Sequence, residues 1–99
     1  MLNQVICVGR ITKDIEIIEN DNKKQYIVTL AIPRSYKNAD GIYETDFISC
    51  ILWENVGEQI ITYLKKGDLV GIKGRLQTED NKIIAVAEKV TFLSSKKED

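Results

Sequence analysis

Residues 47–53 read Phe-Ile-Ser-Cys-Ile-Leu-Trp. If they form a strand, alternate side chains point to opposite faces. Ile48, Cys50 and Leu52 then supply a continuous core face, and Phe47, Ser49, Ile51 and Trp53 occupy the other. Two large rings on a face the core does not need have three uses: extra core, a contact with another subunit, or a platform on which a flat ligand stacks. Lys73 and Arg75 share one strand face, opposite Val70, Ile72 and Leu76. Exposed cations of this kind are either solvated or hold an anion. Arg10 interrupts an apolar run and needs solvent, a carboxylate or a phosphate, because an unpaired buried charge is costly.

Other chemistries are poorly provided for. The chain has no His, which removes His-based acid–base work, Ser-His and Cys-His nucleophiles and almost every zinc site. Cys7 and Cys50 each lie inside an apolar run without CxxC spacing and read as buried reduced thiols. Asp14/Glu16 and Glu44/Asp46 are acid pairs, but a two-metal nuclease needs several convergent carboxylates. They read as decoration of exposed strand edges. The net charge of −1, from 14 Lys and Arg against 15 Asp and Glu, does not by itself point to nucleic acid. No apolar run approaches the ~20 residues that span a bilayer. The first residues show no basic stretch followed by an apolar one, so a cytoplasmic protein is expected.

The elements that must position these residues follow from pattern. Residues 5–11 form an apolar, β-branched run, expected as a buried strand with a bulge or bend at Gly9. A weaker strand over residues 15–19 and a stronger one over 26–32 flank the turn cluster at 20–24 and make a hairpin. Pro33 is expected to end the second of them. The segment 35–42 reads as a polar loop containing Tyr36 and the Asp40-Gly41 turn. After the strand at 47–53, Asn55 and Glu58 match a capping box. Val56, Ile60 and Leu64 repeat at helical spacing, with Lys65-Lys66 at the helix end and Gly67 as terminator. Strands over residues 69–76 and 83–93 follow, joined by a tight turn at 79–82. With the weaker run at 15–19 not counted, the order β-β-β-α-β-β defines the expected class: all-β with one short helix, a five-stranded Greek-key barrel of the oligonucleotide-binding (OB) fold. One domain is expected over residues 1–94, with 95–99 as a short charged disordered tail.

Several blocks resemble the bacterial single-stranded DNA-binding protein family. They are residues 3–14 (Asn-Gln-Val-Ile-Cys-Val-Gly-Arg-Ile-Thr-Lys-Asp), Thr29-Leu30-Ala31-Ile32 followed by Tyr36, residues 46–53, and above all residues 63–78, beginning Tyr63-Leu64-Lys65-Lys66-Gly67. The resemblance implies a homotetramer, with a dimer as the alternative, that takes single-stranded DNA without strong sequence preference in replication, recombination or repair. It implies no cofactor and no membrane partner. Tyr36, Phe47 and Trp53 fall on the family's base-stacking positions, and Arg10, Lys13, Lys73 and Arg75 at or near its basic groove.

Three departures accompany the resemblance. The turn at 79–82 is shorter than the family's loop and has no aromatic. Glu54-Asn55 stands where a basic residue follows the third strand. The sequence stops at Lys96-Lys97-Glu98-Asp99, without the Gly-rich linker and acidic tip that recruit replication and repair proteins, so that tail-dependent recruitment is not expected. The rival readings are a dimeric primosomal restart-type OB protein and an OB module that only mediates assembly.

Overall fold

A computed structural model of the chain describes residues 1–95. The charged segment from residue 96 on lies outside the described residues. Six strands and one helix follow in order: β1 (Val5–Ile11), β2 (Glu16–Asn20), β3 (Lys23–Lys37), β4 (Tyr43–Trp53), α1 (Glu54–Ile60), β5 (Leu69–Glu79) and β6 (Lys82–Ser94). Strands are hydrogen-bonded in the order β1-β5-β6-β4-β3-β2, and a further β1–β3 pairing closes the ring. Five strands therefore make the barrel, and the short β2 hangs on β3 as a sixth. All pairings are antiparallel except β4–β6, which runs parallel through Cys50↔Ala85 and Ile51↔Val86. This closed five-stranded barrel with its helix after the third barrel strand is the expected OB architecture.

Alternation builds the core. Tyr26, Val28 and Leu30 of β3, Cys50 and Leu52 of β4, and Val70 and Ile72 of β5 are all buried in one cluster. Strand β1 differs from the expectation of a strand buried throughout: Cys7 and Ile11 point inward, while Ile6 and Val8 are 66% and 48% exposed. An antiparallel barrel strand has one covered face, so an apolar run on it leaves half its side chains outside. Gly9 marks a close approach, since a Cβ there would stand 2.6 Å from the Ala31 carbonyl oxygen. Next to it, at Arg10, β1 reaches its β3 partner. Burial pushes the Cys50 thiol up to about 12, with Cys7 adding to the shift, so this core sulfur stays a thiol.

Two tight turns carry left-handed residues other than glycine, Asp21-Asn22 (φ 51° and 65°) and Asp80-Asn81 (φ 50° and 65°). Asn and Asp tolerate this region, and two such residues suit the twist of a two-residue hairpin.

Pro33 does not end β3. It pairs with Thr45, the register then shifts, and the ladder resumes at Lys37↔Tyr43. A missing N–H removes one rung without forcing the chain out of an extended path. Tyr36 therefore sits on a strand arm and not in a loop.

The helix also differs. Trp53, extended at φ −72° and ψ 160°, passes directly into it and makes no side-chain cap bond. Asn55 is thus already inside the first turn, and no capping box forms. The helix stops at Ile60, before Lys65-Lys66. The segment after it is fixed to β1 by Gly67 N–H to Ile11 O (2.7 Å) and Ile11 N–H to Asp68 O (3.0 Å). The buried Asp68 carboxylate accepts from the Lys65 amide at 2.9 Å.

Candidate nucleic-acid interface

The β3–β4 pair sets out the candidate site. Its register opposes Ala31 to Phe47, Thr29 to Ser49, Ile27 to Ile51 and Gln25 to Trp53. These are the outward sets of both strands, so Phe47 and Trp53 do share a face, as alternation requires. Phe47 is 67% exposed. It borders an open groove of about 510 Å³ with Ile27, Ser49, Ile51, Leu76 and Ile83, and Lys13 and Glu16 at one side. Leu76, on the strand face opposite Lys73 and Arg75, is part of this groove. The Thr29 and Ser49 hydroxyls share a hydrogen bond of 3.1 Å between the strands.

Trp53 is half-buried at the strand end, between two smaller hollows. One is lined by Ile18, Asp21, Lys23 and Gln25, the other by Lys23, Lys24, Glu54, Asn55 and Glu58. Tyr36 is exposed on the arm beyond Pro33. Tyr43 opposes the next residue of that arm, and Lys37 Nζ lies 5.6 Å from its ring centre.

The cations divide into two groups. Arg10 lines a shallow apolar hollow with Ala31, Pro33 and Thr45, beside the Ala31–Phe47 pair. Its Nη1 donates to the Gly67 carbonyl at 3.0 Å. Lys13 borders the Phe47 groove and pairs with Glu16 at 2.9 Å. Lys73 and Arg75 lie on β5 and line neither the Phe47 groove nor the Trp53 hollows. Lys73 opposes Ile6 on one side and Lys89 on the other. Arg75 bonds Glu88 and Gln77, each at 3.2 Å.

Sequence reasoning missed Lys23 and Lys24, which lie beside Trp53. They read as turn residues, and only the Gln25↔Trp53 register brings them there. It also missed Arg34. Glu44 and Asp46, read as edge decoration, both bind its guanidinium, and those hydrogen bonds hold the Asp46 carboxyl below the usual carboxylate range. Among the described residues no three His, Cys, Asp or Glu come together to hold a metal ion, and no helix is long and apolar enough to cross a membrane.

A closed five-stranded barrel with its helix after the third barrel strand is an oligonucleotide-binding barrel by fold. Residues 2–91 match the model of the single-strand binding protein family, and the chain belongs to that family. It is 43% identical to a single-stranded DNA-binding protein of Bacillus cereus, over 94% of this chain and 61% of that one. It is 46% identical to single-stranded DNA-binding protein B of Bacillus subtilis, over 79% of this chain and 70% of that one. The chain thus spans less than two thirds of the Bacillus cereus relative. Among solved structures the fold matches the Plasmodium falciparum single-stranded DNA-binding protein in complex with single-stranded DNA. The TM-score is 0.76 at 21% identity, covering 95% of this chain and 96% of that one. It also matches the dimeric N-terminal domain of PriB from Thermoanaerobacter tencongensis, with a TM-score of 0.69 at 22% identity, covering 94% of this chain and 98% of that one.

Proposed function

We propose that residues 1–94 form a domain that binds single-stranded DNA along the β3–β4 face, with little sequence preference and no catalytic step. The observation that carries this reading is Phe47, a large ring two-thirds exposed on a strand pair flanked by Arg10 and Lys13 on one side and by Lys23 and Lys24 at the Trp53 end. Every base has a π-face, so stacking on Tyr36, Phe47 and Trp53 tolerates any sequence, while the lysines and Arg10 neutralise phosphates. Holding bases against protein opposes re-pairing and shields the strand, the service that replication, recombination and repair require. Lys73 and Arg75 serve phosphates only where the strand leaves the β3–β4 face. The tight turn at Asp80-Asn81 adds no surface to the groove, and each barrel holds fewer nucleotides than the upper end of the ~4–16 range of OB folds.

Titration of Trp53 fluorescence with oligo-dT tests this reading. Quenching that saturates is expected, and no spectral or calorimetric sign of binding would sink it in favour of an assembly module. Repeated across salt, the affinity should fall with a slope of about −1.4 to −2.8 in log–log form, the signature of two to four phosphates at about −0.7 each. A modest slope is expected because Lys13, Arg34 and Arg75 already face carboxylates. A flat response would remove the phosphate half of the mechanism.

The chain is further proposed to associate with its own copies. Ile6 and Val8 on β1 and Leu93 on β6 are each about half exposed or more. A Cβ on Gly71, between those strands, would stand 3.8 Å from both Val8 and Leu93. This apolar patch continues along β1 from the hollow that Val8 lines with Arg10, and it suits a second copy. Light scattering should give a tetramer. A dimer would favour the primosomal restart-type reading, and a monomer at micromolar concentration would contradict self-association. Action in the cytoplasm, on nucleoid DNA, goes with this function.

A further inference from the structure

The arm of β3 and β4 beyond Pro33 has no core under it. None of residues 33–46 is buried, and the backbone ladder is broken between Pro33 and Lys37. Yet this arm carries Tyr36, 64% exposed, and leads into Phe47. A polar network spans the break. Arg34 Nε donates to Asp46 Oδ2 at 3.1 Å, Nη2 to Asp46 Oδ1 at 2.9 Å and Nη1 to Glu44 Oε2 at 2.6 Å. Asn38 Nδ2 donates to the other Glu44 oxygen at 3.3 Å. Asn38 Oδ1 accepts from the amides of Asp40 at 2.9 Å and Ile42 at 3.0 Å. The network therefore runs without interruption from Asp46, the neighbour of Phe47, to the turn at the arm's tip.

We propose that Arg34 is a positioning residue: with Asp46, Glu44 and Asn38 it sets the arm that carries Tyr36, which alternation puts on the same strand face as Arg34 beyond Phe47, and it does not itself hold phosphate. This rests on the reading that the β3–β4 face binds single-stranded DNA. All three guanidinium nitrogens already donate to carboxylates, two of them in a bidentate fork, the strongest geometry such a pair adopts. Turning Arg34 toward a phosphate would leave two unpaired carboxylates beside a polyanion. The network thus does two things at once: it replaces the missing rungs, and it cancels acid charge next to the stacking ring.

The two roles predict opposite signs for one substitution. D46N removes a negative charge beside the DNA. If Arg34 were a phosphate contact held back by Asp46, D46N would free it and tighten binding. If Arg34 positions the arm, D46N breaks the fork and weakens binding. The test is oligo-dT titration of the whole chain and its D46N, R34Q, Y36A and Y36A/R34Q variants at one salt concentration, with circular dichroism at the same temperature. D46N and R34Q should each weaken binding about tenfold, a coupling of ordinary size for contacting groups. In the Y36A background R34Q should weaken it less than twofold, because the ring that the network presents is gone. R34K should recover part of the loss, since Lys replaces one contact of the fork. The melting temperature should move little, because the pairs are surface pairs. Tighter binding by D46N, or an equal effect of R34Q with and without Tyr36, overturns the proposal. So does unfolding of either single variant at the titration temperature, which would assign the network to the fold. A wild-type chain without affinity for oligo-dT would instead overturn the DNA-binding reading itself.

Discussion

Phe47→Ala weakens oligo-dT binding by roughly 1–3 kcal/mol, about 5- to 150-fold, and leaves the fold intact. Both halves of this expectation come from position. Phe47 is 67% exposed, so truncation opens no cavity and removes little buried area. Its stacking surface is what is lost. Trp53→Ala should weaken binding by a similar amount but reports less cleanly. Trp53 is half-buried and forms the junction between β4 and α1, so part of its effect passes through the helix. Equilibrium titration together with a urea melt separates the two. A Phe47→Ala protein of unchanged affinity would remove the ring from the DNA path, and an unfolded one would make it a structural residue.

Gly74→Ala is the substitution with the largest expected effect on stability, a loss of at least ~3 kcal/mol, a large share of what a domain of this size possesses. Gly74 lies where the β5–β6 register shifts, from Lys73↔Lys89 to Gly74↔Ala87. A Cβ at this position would fall on the Val86 carbonyl oxygen and stand 3.1 Å from the Ala87 Cα. Both obstacles are backbone of the neighbouring strand, so no side-chain rotation relieves them. The strands must part at a seam that β4 also joins through Val86 and Ala85. Urea denaturation checks this: a Gly74→Ala midpoint close to that of the wild type would show that β6 can move aside.

The fold was legible because each strand keeps its period of two over several residues. The alternation of β4, from Phe47 to Trp53, gave both the core face and the outer rings without any knowledge of partners. What pattern alone did not reveal depends on register and on conformations that residue type only biases. Lys23 and Lys24 come to Trp53 only through the β3–β4 pairing. Arg34 finds Asp46 and Glu44 across a bulge that Pro33 disguises as a strand end. The capping box matched in residue types, but Trp53 enters the helix from the strand as its N-cap and puts Asn55 two positions too late. Lys73 and Arg75 share a face, as alternation requires, but periodicity does not say which side of a closed barrel that face looks toward. β5 lies two strands from β4 in the ring. The short runs at the hairpin tips were readable, since Asp-Asn at both sites adopts the left-handed conformation those turns need.

The central claim is that single-stranded DNA lies along the β3–β4 face. Ultraviolet cross-linking of oligo-dT to the chain, followed by mass mapping of the modified residues, tests it most directly. Adducts should fall on the segments carrying Tyr36, Phe47 and Trp53, and should disappear under unlabelled single-stranded competitor. Adducts confined to the outer face of β1, β5 and β6, around Ile6, Lys73 and Lys89, with none on β3 or β4, would contradict it.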